Sequence, residues 1–276
     1  MNSLPTRRAF FSSAAALAGL PRLAVSGEWR RNDDLKLGVA TYSLRAFPRA
    51  EAIGMIKSLE TPYVSIKEFH LRYASTPEEV AAGRKEFEGA GLTILSGGNI
   101  SLTDPNKLRA MFEYAKACGM PMMVCAPSHA TLPAVEQLVK EFNIKTAIHN
   151  HGPEDKHFPT PQSVLEAVKH MDPRMGLCID IGHTARTGTD IVESTIQAGP
   201  RLFDIHVKDL VDPLGKRRQV PVGDGQLPIV ALFRQLKKMN YQGGVMLEYE
   251  IDEKNPLPGM TKSFAYMRGV LAGLRG

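Results

Sequence analysis

Strand-like and helix-like patterns alternate from residue 36 to residue 274, and this alternation restricts the chain more than any other feature. Residues 36–42, 63–70, 92–96 and 120–126 are short runs of β-branched and apolar side chains bounded by Gly, Pro or Asp. Four more such runs centre on residues 147, 178, 204 and 246. Helical spacing fills the intervals, and several helices carry a start signal. Thr76 stands ahead of Pro77 with Glu79 at the capping-box position, Asp104 ahead of Pro105, Thr160 ahead of Pro161, and Asp190 has Glu193 three residues on. Strands separated by helices run parallel, with right-handed crossovers. The pattern amounts to eight strand–helix pairs, and eight such units in about 250 residues is the size of a (β/α)8 barrel. An open doubly wound sheet would carry a Gly-rich phosphate loop after its first strand, and residues 40–45 supply none. No Pro/Gly/Ser tract divides the chain, so residues 31–276 read as one domain.

Residues 1–30 differ in kind. Arg7 and Arg8 precede Phe10 and Phe11, residues 14–20 are mildly apolar, and Ala24, Val25 and Ser26 offer small residues for cleavage. A charged start, a short apolar stretch and a small-residue exit describe a signal peptide, and the paired arginines resemble a twin-arginine leader. The expectation is export to the periplasm. No other run approaches the ~18 apolar residues that cross a bilayer, so stable membrane insertion is not expected. The net charge of +5 includes the leader's arginines. The mildly basic remainder suits a small acidic substrate and does not point to nucleic acid. Cys118, Cys125 and Cys178 have neither zinc-site nor disulfide-framework spacing and read as small buried apolar residues.

The last four strand-like runs each end in side chains that bind metals. His149 and His151 close the first, Asp180 and His183 the second, His206, Lys208 and Asp209 the third, Glu248 and Glu250 the fourth. Alternate residues of a strand share a face, so His149 points with His151, His206 with Lys208, and Glu248 with Glu250. Barrel enzymes place their chemistry at the carboxyl ends of the strands, where all of these residues fall. Asp180, Glu248 and Glu250 crowded into one barrel mouth would repel one another without a cation. The expected ligands of one divalent metal are His149, Asp180, His206 and Glu248, a mixed nitrogen–oxygen set that fits Mn2+, Co2+, Zn2+ or Mg2+. His151, His183, Lys208 and Glu250 would then support the ligands or touch substrate. Glu68 and His70, at the end of the second strand, and His129, after the fourth, are further candidates for the lining of the mouth. Lys216, Arg217 and Arg218 read as a solvated basic loop.

Taken together, His149-Asn150-His151-Gly152, the run from Cys178 to His183, the run from Asp204 to Asp209, the run from Val222 to Pro228 and Leu247-Glu248-Tyr249-Glu250 resemble the sugar phosphate isomerase/epimerase family with its xylose isomerase-like TIM barrel. The similarity extends over nearly all of residues 36–275. It implies a metal at the ends of strands five to eight, with Asp180, His206 and Glu248 matching family ligands and His183 matching a substrate-contacting histidine. Many members have Glu where this chain has His149, which puts a two-carboxylate epimerisation in doubt. The chemistry implied is proton abstraction beside a carbonyl of a sugar through a metal-stabilised enediolate, with Glu248, Glu250 and His151 as proton carriers and Glu68, His70, His183 and Lys208 as substrate contacts. The expected activity is a sugar or sugar phosphate isomerase or epimerase, and the alternative is a lyase or hydratase on a keto-sugar or 3-keto glycoside. A phosphodiesterase like the apurinic endonucleases would need more than one metal. A non-catalytic sugar-binding barrel is also compatible with the fold.

Overall fold

The computed structural model describes residues 35–215 and 219–275. The expected leader and the basic run at 216–218 lie outside the described residues. Eight parallel strands close on themselves: β1 (Lys36–Ala40), β2 (Tyr63–Ile66), β3 (Thr93–Leu102), β4 (Met122–Pro127), β5 (Lys145–His149), β6 (Met175–Asp180), β7 (Leu202–Val207) and β10 (Gly244–Leu247). The order around the barrel is β1-β10-β7-β6-β5-β4-β3-β2, which is the (β/α)8 architecture that the alternation predicts. Between β7 and β10 the chain also forms a small antiparallel pair, β8 (Asp209–Leu210) with β9 (Gln219–Val220). Among the described residues, no helix is long and apolar enough to cross a membrane.

The helix starts follow their local chemistry. α2 (Pro77–Gly89) opens on a reciprocal capping box: Thr76 Oγ1 accepts from the Glu79 N–H at 3.2 Å, and Glu79 Oε2 accepts from the Thr76 N–H at 2.9 Å. Thr160 caps α5 (Pro161–Val168), and Asp190 caps α7 (Ile191–Ala198). Most of the core lies between strands and helices, where Phe87, Phe112, Phe233 and Phe264 are fully buried. A smaller group, Met122, Val124, Ala147, Cys178 and Phe203, forms a second apolar cluster on strands β4 to β7. All three cysteines are free and buried.

The elements depart from the sequence reading in several places. β2 stops at Ile66, because residues 67–70 turn back on themselves with the His70 N–H donating to the Lys67 carbonyl. β3 runs on past Ser96 to Leu102, with a register irregularity against β4. α3 (Leu108–Ala117) starts later than Asp104, whose carboxylate instead accepts from the Asn106 N–H at 3.0 Å in a turn. A short helix, α6 (Ile181–Arg186), follows β6 immediately, because the side chain of Asp180 caps it.

Candidate active site

Strands β5, β6, β7 and β10 are consecutive neighbours in the barrel, and their register brings their ends to one level. His149 pairs with Cys178, Asp180 with His206, and His206 with Met246. Glu248 lies one residue beyond β10 and continues the ladder, its N–H donating to the Val207 carbonyl at 3.0 Å. One ligand atom from each of His149, Asp180, His206 and Glu248 lies within 4.8 Å of the others. His149 Nε2 is 3.4 Å from Asp180 Oδ2, and His206 Nδ1 is 3.4 Å from Glu248 Oε1.

The cluster leaves five buried polar atoms without an aligned hydrogen bond: both ring nitrogens of His149, both of His206, and Asp180 Oδ2. Asp180 Oδ2 has the Lys208 ammonium 3.0 Å away, but a buried polar atom left unpaired costs about 1–3 kcal/mol, and the four imidazole nitrogens gathered here point to a missing partner. Ligands on opposite sides of an ion stand about 4–4.4 Å apart at bond lengths near 2.0–2.2 Å, so small side-chain movements would close this group on a cation. Burial lowers the pKa of His149, which keeps the lone pair of one ring nitrogen free for a metal; at His206 burial is outweighed by Cys178 and Glu248, which hold it well above the usual value, so a cation would displace a proton there. Cys178 also lies beside both imidazoles; burial pushes its thiol up to about 12, whereas the Asp180 and Glu248 carboxylates are held ionised and ready to bind a cation. The residues therefore fit one divalent cation.

Lys208 stands among the carboxylates. Its ammonium donates to Glu248 Oε2 at 2.7 Å and Glu250 Oε2 at 3.0 Å, and lies 3.0 Å from Asp180 Oδ2. Burial alone would lower its pKa, but the three acids hold it well above the usual lysine value. Burial would likewise raise Asp180 and Glu248, but Lys208 and the neighbouring histidines hold both well below the usual carboxylate range. The other oxygen of Asp180 accepts from the His183 N–H at 2.8 Å and so caps α6. Asn150 locks this corner, accepting from the Asp180 N–H and donating to Thr184 Oγ1, both at 3.1 Å.

Above the cluster opens a cavity of about 220 Å³ lined by Tyr42, Lys67, Asn99, His149, His151, His183, Glu248 and Glu250. The His151 and His183 rings face each other at 4.5 Å, and burial depresses His183 to about 3, so it works as a neutral imidazole. Of the residues expected in the site, His149, His151, His183, Glu248 and Glu250 line this mouth, while Asp180, His206 and Lys208 belong to the buried cluster that His149 and Glu248 complete. Glu68 and His70 do not line it, because β2 ends before them. Glu68 lines a neighbouring cavity, and His70 is buried beside the Leu44 and Phe47 backbone. His129 packs on His157 and Phe158 instead. Sequence reasoning missed Tyr42, Lys67, Asn99 and Asn150. Asn150 had a visible signal, standing between two site histidines; Asn99 had none, since its strand was expected to end at Ser96.

The xylose isomerase-like TIM barrel family matches residues 50–270 of the chain. An inosose dehydratase of Mesomycoplasma hyopneumoniae is 30% identical over 154 residues, which are 48% of this chain and 50% of that protein. The match thus spans about half the length of that curated relative. Among solved structures, an uncharacterized protein from Parabacteroides distasonis superposes with a TM-score of 0.67 at 26% identity, over 86% of this chain and 99% of that one. The 3-keto-D-glucoside 4-epimerase of E. coli superposes with a TM-score of 0.70 over 86% of this chain and 100% of that one; at 18% identity that likeness shows the fold alone.

Proposed function

The chain belongs to the xylose isomerase-like TIM barrel family, and from that premise we propose a carbohydrate isomerase or epimerase that depends on one divalent cation and removes a proton beside a carbonyl. The observation that carries this reading is the convergence of His149, Asp180, His206 and Glu248, with both imidazoles lacking hydrogen-bond partners, under an open polar mouth. These four residues would hold Mn2+, Co2+, Zn2+ or Mg2+. When bound, the cation supplies Lewis acidity to a substrate oxygen next to the carbon that reacts. The chain's own groups move the proton. Glu248 and Glu250 stand together at the end of β10, and His151 stands beyond β5, so a sugar lying between them meets a proton acceptor on one side and a donor on the other. Such general acid–base help is worth about 10²–10⁴-fold. Lys208 holds both glutamates inward through its two hydrogen bonds, and His183 offers a neutral imidazole to a substrate hydroxyl. Export through the expected leader belongs to the same proposal, and cell fractionation tests it.

One observation favours a second reading, a lyase or dehydratase on a keto-sugar or 3-keto glycoside. The two carboxylates on the mouth, Glu248 and Glu250, come from one strand end, and an imidazole stands at β5. Two carboxylates at one strand end, with an imidazole rather than a carboxylate at β5, suit elimination as well as epimerisation, and the likeness to an inosose dehydratase supports it. Cation-loaded enzyme should be incubated in D2O with a panel of keto-sugars and 3-keto glycosides. Deuterium at the carbon beside the carbonyl with interconverted sugar supports the first reading. Loss of water or aglycone supports the second. No exchange with any member of a broad panel overturns both.

A further inference from the structure

Beside the mouth lies a second cavity of about 620 Å³, lined by Arg45, Phe47, Glu68, Phe69, Arg72 and Tyr73 among others. Its wall toward the mouth is made of residues that the two cavities divide between them. Tyr42 lines the mouth, and its ring is 6.0 Å from that of Phe69 in the second cavity, with the Arg45 guanidinium 4.6 Å over its face. Lys67 lines the mouth and stands 3.0 Å from Glu68 Oε2, on the other side. We propose that this second cavity is a subsite for the second ring of a glycoside whose sugar occupies the mouth, so that the substrate is a glycoside rather than a free or phosphorylated monosaccharide. The inference rests on the mouth being a sugar site.

Three observations carry it. The mouth, at about 220 Å³, is smaller than the ~300–1,000 Å³ of pockets that enclose drug-sized ligands, whereas the adjoining space lies within that range. Two of the large hydrophobic side chains exposed among the described residues, Phe69 and Tyr73, 46% and 40% exposed, line this one cavity; Ile196, Leu214, Val230 and Tyr266 are scattered over other elements. Each of the two is packed on another aromatic ring, Phe69 on Tyr42 and Tyr73 on Tyr114. Tyr73 packs edge-on against Tyr114 at 4.8 Å, and the Tyr114 hydroxyl donates to the Leu71 carbonyl at 2.6 Å. Exposed aromatic faces next to a few polar groups, here Glu68 and Arg72, suit the apolar face of a pyranose or an aryl ring while leaving partners for its hydroxyls.

The test is calorimetric titration of the cation-loaded full chain with matched methyl and phenyl β-glycosides of glucose, galactose and xylose, and with cellobiose. In at least one series the phenyl glycoside or the disaccharide should bind about fivefold tighter or more than the methyl glycoside, the size expected of one aromatic contact. A gain with phenyl alone identifies an aryl aglycone, and a gain with cellobiose a second sugar. Phe69→Ala should erase the gain and change methyl glycoside affinity less than twofold. Equal binding of methyl, phenyl and disaccharide ligands in every series overturns the inference, as does a Phe69→Ala variant that weakens all of them alike. A dimer that Phe69→Ala dissociates puts a second copy of the chain on this surface and also overturns it. The inference and the proposed function fail separately. Deuterium exchange into keto-monosaccharides without any second-ring preference removes the subsite alone, and a second-ring preference without exchange removes the proton-transfer reading alone.

Discussion

Asp204 lies on the inner face of β7, two residues before His206, and is fully buried. Ser96 Oγ donates to its Oδ2 at 2.6 Å, and the Ile205 N–H donates to Oδ1 at 3.0 Å, but no cation is paired with it among the described residues. Burial therefore pushes its carboxyl up to about 6. An acid whose folded pKa exceeds its unfolded value contributes its full stability below the unfolded pKa, near 3.9, and loses it as pH rises through the folded one. Asn keeps an oxygen for Ile205 and an amide for Ser96 without the charge. Asp204→Asn should match the wild type at pH 4 and exceed it by on the order of 2–3 kcal/mol at pH 8. Urea unfolding of chelator-treated protein at the two pH values measures this, and equal stability at pH 8 would rule out an ionised, unpaired Asp204.

The turn that follows β9 is gathered on the carboxylate of Asp209. Asp209 Oδ1 accepts from the Leu210 and Leu227 N–H groups at 2.9 and 3.0 Å, and Oδ2 from those of Gly223 and Gly225 at 2.9 and 3.1 Å. A Cβ on Gly225 would stand 2.2 Å from Asp209 Oδ1 and 2.6 Å from the Leu210 carbonyl, so only glycine fits there. Just before this turn, β9 presents Gln219, whose amide donates to the Glu248 carbonyl and accepts from the Glu250 N–H, both at 2.7 Å. Asp209 thus acts on the site through backbone, at the strand end that carries both mouth glutamates. Asp209→Ala should speed hydrogen exchange at Gly223, Gly225 and Leu227 and lower kcat about tenfold or more, since small misplacements of catalytic groups are costly, while leaving cation stoichiometry at the wild-type level. Unchanged exchange with unchanged kcat would show that the turn holds its shape without this carboxylate.

At this scale the limits of sequence reading are also visible. The ends of β5, β6, β7 and β10 were legible because each is an apolar run stopping at a metal-binding residue, and a period of two carries His151, Lys208 and Glu250 to the same side as His149, His206 and Glu248. The opposite wall was not legible. Its side chains come from positions where that period breaks: Tyr42 in a 3-10 turn after β1, Lys67 in the turn that ends β2, and Asn99 within the irregular stretch of β3. A strand drawn four residues too long put Glu68 and His70 in the mouth in place of Lys67. α6 was missed for a different reason, since Asp180 reads as a ligand and its second use as a helix cap leaves no separate mark in the sequence.

Across the whole molecule, the pairing of β1 with β10, from Lys36 opposite Gly244 to Val39 opposite Leu247, closes the barrel by joining elements from the two ends of the described chain. A cation at the mouth would tie four consecutive strands of that closed ring, so its binding energy would be folding energy for the entire barrel rather than for one loop. At a free concentration 100 times its Kd, a ligand specific for the folded state adds about 2.7 kcal/mol, which in a domain of this size raises Tm by roughly 5–10 °C. Scanning calorimetry of chelator-treated protein with added Mn2+, Co2+, Zn2+ or Mg2+ should show a shift of that size with at least one of them, at one ion per chain. Asp180→Asn is the informative control, because its amide oxygen can still accept from the His183 N–H and cap α6 while the carboxylate charge is gone. It should melt within a few degrees of the metal-free wild type and show no cation-dependent rise. A wild type indifferent to all four ions, or an Asp180→Asn variant that responds to them as the wild type does, would remove the cation from this site and the proposed chemistry with it.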